Sequence, residues 1–312
     1  MSTTLETPSL APANDAVRSI RRRPFGLKHA LHAAGAAFQW RLLLWWAILL
    51  LLPAMVATLP VWQMLSISLD HAVQAPQLAS QLDMVAIADL GSLVQDRFGA
   101  AIGNGGMVAL ALTLLLSPLL SGMTITAVRA PRRLGFMGLL GGGAQEYGRM
   151  LRMLIWATIP LALAGIVAGM AFGAADRSIA AATLEADADR ASHIAMAVSA
   201  IVFVIVHATI DAGRALLANE RRRRSAVVAW WGGVKLLLRR PLALLGSYVV
   251  ITALGLAMAA LLVLARVHVP ALGALGTLGA FVLTQLAVIV VGWMRSARLF
   301  ALMALARDPR LP

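Results

Sequence analysis

His207, Asp211 and Arg214 lie at spacings of four and three residues along the trailing edge of an apolar run that begins near His193. Positions i, i+4 and i+7 share one face of a helix. An imidazole, a carboxylate and a guanidinium on one face can pair as ions, hold a proton or hold a small ion. The helix from His193 to Asp211 is about 26 Å long, against a hydrocarbon layer of roughly 30 Å. That length puts Asp211 at one edge of the layer and His207 one turn deeper. An ionisable group inside a span is a functional hypothesis by default. Three readings compete: a structural ion pair of Asp211 with Arg214 or with Arg298 of the last span, a proton or ion site, and catalysis. Catalysis would need a nucleophile or a further ligand close by, and no catalytic residue is assigned.

Other chemistry-bearing patterns lead nowhere specific. The chain has no cysteine, which removes disulfides, thiolate metal sites and a catalytic thiol. His29 and His32 are spaced i,i+3 but lack a third metal ligand nearby, and read as surface histidines of an interfacial helix. Gly138, Gly141, Gly142 and Gly143 lack the Gly-Lys-Ser/Thr closure of a phosphate-binding loop and read as a flexible hinge before an interfacial helix. No metal or cofactor is expected. Neither Gly-x-Ser-x-Gly nor His-Glu-x-x-His is present, and the cytoplasmic-loop signature of ABC permeases is missing.

These residues must be positioned by helices in a membrane. Of 312 residues, 60% are hydrophobic and only 13% charged, where a soluble domain has about one quarter charged. Lipid has to cover the remaining surface. The fold class is all-α: a polytopic membrane protein with six transmembrane helices as three hairpins, accompanied by amphipathic interfacial helices. The spans fall at about 42–64, 106–128, 153–175, 194–213, 241–265 and 273–294. Residues 1–24 read as a disordered cytoplasmic tail, and 25–312 as one transmembrane domain. Residues 25–40 and 225–240 read as amphipathic interfacial helices, while 65–105 and 176–192 read as outer, acidic segments. Arg22-Arg23 is superficially like a twin-arginine export signal, but the run after Trp40-Arg41 is a full span without an Ala-x-Ala end.

The formal net charge is +13, and its distribution argues against nucleic acid as a partner. Basic residues flank the spans in blocks, including Arg221 to Arg224, as the positive-inside rule requires. Among the 27 basic residues, only Arg97, Arg177, Arg190 and Arg266 fall on the outer side of this topology. Both termini are therefore expected in the cytoplasm. Lys28 and Lys235 are the only lysines, an arginine bias that points to a GC-rich bacterial genome and so to the bacterial inner membrane.

The chain also reads as three copies of one unit, each an interfacial helix, a span, an outer loop and a returning span. The exits are Thr126-Ala127-Val128-Arg129, Asp211-Ala212-Gly213-Arg214 and Arg295-Ser296-Ala297-Arg298. With these exits the chain resembles uncharacterised bacterial six-span integral membrane proteins, and is similar to the membrane domain attached to some glycerophosphodiester phosphodiesterases. The resemblance is one of architecture and implies no catalytic residues. It agrees with a non-enzymatic, transport- or envelope-related component, with a proton-coupled secondary transporter using His207 and Asp211, or with an enzyme acting on lipid headgroups as the other readings. Gly165, Gly169 and Gly173 form a small-residue ladder expected to pack against another helix. Membrane lipids are the expected partners, with a second copy or another membrane protein left open.

Overall fold

The computed structural model describes residues 27–69, 98–182, 184–220, 225–269 and 273–307. The readings of the 1–24 tail, of the acidic stretch within 70–97 and of Arg221 to Arg224 lie outside those residues.

Eight helices are present among the described residues: α1 (Leu27–Ala36), α2 (Trp40–Leu69), α3 (Gly99–Arg129), α4 (Phe136–Ala181), α5 (Glu185–Asn219), α6 (Ala226–Arg239), α7 (Pro241–His268) and α8 (Gly273–Ala306). Six of them, α2 to α5 with α7 and α8, are long and apolar enough to cross a membrane. The protein is an all-α polytopic membrane protein. In a bilayer every backbone N–H and C=O must be satisfied within the segment, which is why the spans are unbroken helices.

The helices outrun the apolar spans at both ends. Residues 176–192, expected as an outer loop, are mostly helix, with α4 ending at Ala181 and α5 starting at Glu185. Alanines 174, 175, 180 and 181 favour continuation, and Glu185 and Asp187 occupy the first turn of α5, where negative charge suits the helix dipole. The last helix runs on past residue 294 through Arg298 to Ala306, so Arg298 is a buried helical residue. The expected interfacial helix over 25–40 divides into α1 and the start of α2. Residues 65–69 and 99–105 belong to α2 and α3.

The largest correction concerns α4. The glycines 138 to 143 do not form a hinge, because Phe136–Ala181 is one continuous helix. Gly143 sits where a Cβ would meet Met123 Cγ at 2.6 Å and Leu119 O at 3.0 Å, and a Cβ on Gly122 would meet Gly143 O at 2.7 Å. Gly142 lies equally close to Thr126. These glycines let the first turns of α4 lie directly on the end of α3. Close backbone approach of this kind is how helices associate in lipid, where apolar burial alone gives no preference.

The same contact recurs. Gly233 of α6 lies on α5, where a Cβ would meet Thr209 O at 2.5 Å and Gly213 N at 2.7 Å. Helix α1 lies on α8 through Ala30, Ala34 and Ala37, which share a core with Ala297 and Ala301, and Trp293 Nε1 donates to Ala34 O. Each unit's leading segment thus rests on the exit helix of the unit before it, and the first unit rests on the third. The three units close into a ring.

Large apolar side chains are buried almost entirely toward the arginine-rich ends of the helices. Examples are Leu42, Ile125, Met153, Leu217, Leu244 and Met303. Toward the other ends Met107, Met170, Ile194, Leu261 and Leu275 are exposed and face lipid.

Candidate functional site

The exit of α5 lies at the centre of the packed half. The apolar run of α5 keeps it helical, and its buried stretch 208–213 brings Asp211 inward. Asp211 is 7% exposed. Arg214 Nη1 donates to Asp211 Oδ1 at 2.8 Å. Arg298 of α8 places Nε 3.6 Å from Asp211 Oδ2, and His207 Nδ1 lies 3.6 Å from the same oxygen. The structure therefore brings His207, Asp211, Arg214 and Arg298 together. Asp211 contacts both arginines rather than one of them.

Two partners from α7 complete the cluster. Arg298 Nη1 donates to Tyr248 OH at 2.9 Å and to Thr252 Oγ1 at 3.3 Å, and its guanidinium lies 4.7 Å from the Tyr248 ring centre. Tyr248 OH is 2.9 Å from His207 Nδ1. Because the phenol oxygen already accepts from Arg298, its hydrogen is free to donate to Nδ1. The 3.6 Å separation from Asp211 is too long for a hydrogen bond. The network thus fits a neutral imidazole.

A cavity of about 310 Å³ opens beside this cluster. Its polar lining comprises His207, Asp211, Arg214, Arg295 and Arg298, together with Thr113, Ser117, Ser121 and Thr124 of α3 and the indole of Trp46. Gly292 admits that indole, since a Cβ there would meet Trp46 Cβ at 2.9 Å. With His207 neutral, three arginines face one carboxylate, a surplus of two positive charges. Several donors are also unused. Arg298 Nε and Trp46 Nε1 are buried without a hydrogen-bond partner. Arg295 makes no hydrogen bond or ion pair with any described residue, and the same holds for the hydroxyls of Ser117 and Ser121.

Sequence reasoning missed Tyr248, Thr252, Arg295 and Trp46. Arg295 was visible as the first residue of the third exit motif, aligned with Asp211 of the second. The hydroxyls of α3 play different parts. Thr124 bonds backwards to Leu120 O and approaches Ser296 Oγ at 3.3 Å, but Ser117 and Ser121 face the cavity. Nearby, Tyr147 OH donates to Leu115 O at 3.1 Å.

A second polar cluster sits at the end of α5. Glu146 bridges Arg129 and Arg149, with contacts of 2.5 and 2.7 Å. Arg149 Nη2 donates to Leu217 O and Glu220 O at 2.5 and 2.7 Å, and Arg129 donates to Ala218 O. Two guanidinium groups thus satisfy the open carbonyls of a helix C-terminus, where positive charge is favoured. This cluster is a helix cap.

Gly165, Gly169 and Gly173 lie elsewhere. A Cβ at any of them would meet nothing within 4 Å, so among the described residues the ladder packs against no other helix. Among the described residues no group of three His, Cys, Asp or Glu side chains could hold a metal ion.

Fold and site together define a six-span membrane protein with an arginine-lined cavity within the bundle. Compared with known proteins, the chain matches no family model, no curated protein and no solved structure.

Proposed function

We propose that this protein is a non-enzymatic, transport- or envelope-related component of a bacterial inner membrane, and that its cavity binds an anion. The observation carrying this is the excess of unused donors: Arg295, Arg298 Nε and Trp46 Nε1 face a space holding a single carboxylate. Arg298 Nε and Trp46 Nε1 are buried donors without hydrogen-bond acceptors, which is costly, and Arg295, more exposed, has no ion-pair counter-charge among the described residues. An anionic oxygen cluster, such as a phosphate or a carboxylate, supplies both. The basic helix ends face the cytoplasm by the positive-inside rule, with both termini there. The exit motifs support kinship with the six-span domains named above.

The proton-coupled reading is favoured by one observation. Tyr248 links His207 to Arg298 while Asp211 stands beside both, so a proton taken up by His207 or Asp211 changes the charge the cavity presents. An enzyme acting on headgroups is less well supported, since Ser117 and Ser121 have no base bonded to them.

Calorimetric titration of the purified protein in detergent with inorganic phosphate, acetate and chloride tests the reading. Arg295→Ala should weaken anion binding about tenfold or more and leave the melting temperature nearly unchanged, because Arg295 makes no hydrogen bond or ion pair with any described residue. Asp211→Asn should tighten anion binding by removing the competing carboxylate. If no anion binds and Asp211→Asn only lowers stability, the cluster is a structural pin and the proposal fails. In liposomes, proton coupling requires pH-dependent flux that both Asp211→Asn and His207→Ala abolish.

A further inference from the structure

A second basic cavity lies away from the central one, at the arginine-rich surface of the bundle. It has a volume of about 190 Å³ and is lined by Gln39, Trp40, Arg41, Arg133 and Leu134. It forms where the turn between α1 and α2 meets the turn between α3 and α4. The Arg41 guanidinium is held in place there. Its Nη1 donates to Leu134 O at 3.2 Å, and its carbon lies 5.3 Å from the centre of the Trp40 ring. Trp40 is itself fixed edge-on against Phe136 at 5.4 Å. Arg133 has no hydrogen bond or ion pair with any described residue. Among the described residues no carboxylate lines the cavity.

Two guanidinium groups in a small concave site, one of them preorganised, suit a phosphate group. The surroundings say where that phosphate comes from. Directly above Trp40, the exposed side chains of Leu44, Ile48, Leu52 and Met55 run in a row along α2. From Leu44 to Met55 the row covers about 16 Å of helix, close to the depth of one leaflet. A charged site at headgroup level that continues into an exposed apolar stripe matches a phospholipid end to end. Trp40 and the neighbouring Phe38 are exposed at the junction, the level that aromatic side chains favour at a bilayer surface.

We infer that this cavity is a binding site for the headgroup of an anionic phospholipid, with its acyl chains laid along α2. Basic pockets on the positive side of a bundle recognise such headgroups by paired charge. The inference does not depend on an anion occupying the central cavity.

The test compares the protein in neutral detergent with added phosphatidylglycerol, phosphatidylcholine or inorganic phosphate, reading bound lipid by native mass spectrometry and the melting temperature in parallel. Phosphatidylglycerol should bind and raise the melting temperature, and the other two should not. Arg133→Glu, at an exposed position with no partner to lose, should weaken phosphatidylglycerol binding about tenfold or more. Arg295→Ala should leave it intact. Equal binding of phosphatidylcholine, or phosphatidylglycerol binding that survives Arg133→Glu, overturns the site. Loss in Arg295→Ala assigns the lipid to the central cavity and also overturns it. A response to inorganic phosphate that Arg133→Glu removes would show a free-anion site and defeat the lipid assignment.

Discussion

The two halves of this bundle are held by different means. At the basic end, backbone meets backbone: Gly122 against Gly143, Gly213 against Gly233, and the alanines of α1 against those of α8. Indole and amide donors reach across to carbonyls, as when Trp45 Nε1 bonds Phe136 O at 3.2 Å and Asn219 Nδ2 bonds Met303 O at 3.1 Å. At the other end the buried residues are mostly alanines, such as Ala109, Ala175, Ala195 and Ala280, and the large side chains point outward. Lipid tails are as apolar as leucine, so association in a membrane depends on close fit and polar contacts. Both are concentrated at one end. The central cavity lies at the border between the halves, where the fixed end holds its arginines in register. If the halves differ in this way, substitutions of similar size should cost much at one end and little at the other.

The largest loss is expected at Glu146. It lies between Arg129 and Arg149, whose side chains are 17% and 14% exposed. Glu146→Ala leaves two nearly buried guanidinium groups facing each other, with their bonds to the end of α5 unsupported. Removing one partner of a buried pair costs about 3 kcal/mol or more, and thermal unfolding in detergent should show a correspondingly large fall. An unchanged melting temperature would mean that the carbonyls of α5 hold both arginines without the carboxylate.

Gly143→Leu comes next. Its side chain would have to displace Met123 and the backbone of Leu119. Overpacking of a fitted contact costs about 1–3 kcal/mol, and α4 should lift from α3. Thermal unfolding in detergent would report the loss. An unchanged melting temperature in the Leu variant would show that α4 does not rest closely on α3 at this point.

Those two sites also show how much was legible. Apolar run length gave the six helices, because lipid requires it of the sequence, and the recurring exit motifs gave the three-unit repeat. The spacing of His207, Asp211 and Arg214 predicted their shared face for the same reason that helix geometry is periodic. What one helix's sequence cannot carry is its neighbour. A glycine run such as 138–143 satisfies a hinge and a close contact equally well, and only α3 lying on it distinguishes them. Tyr248 belongs to the site through its bond to His207, 41 residues away on another helix, and Arg295 through lining the same cavity. The Glu146 cap was invisible for the same reason, since it joins α3, α4 and α5.

The smallest effect is expected at Gly169, and it sharpens the comparison most. Gly169 carries the same small-residue signature as Gly143, on the same helix, with Gly165 and Gly173 one turn to either side. Yet a Cβ there meets no atom within 4 Å, and its neighbours Ile166 and Met170 are 60% and 69% exposed. A leucine at this position enters lipid and displaces nothing in the chain. It also replaces a poor helix former with a good one, a gain of at most about 1 kcal/mol. Gly169→Leu should therefore leave the melting temperature of the monomer unchanged or slightly raised, where Gly143→Leu lowers it. Light scattering of the detergent-solubilised protein must accompany the melt. If the parent is a dimer and Gly169→Leu converts it to monomer, the loosely packed half is closed by a second copy lying on the ladder. The contrast between the halves would then describe the single chain and not the assembly.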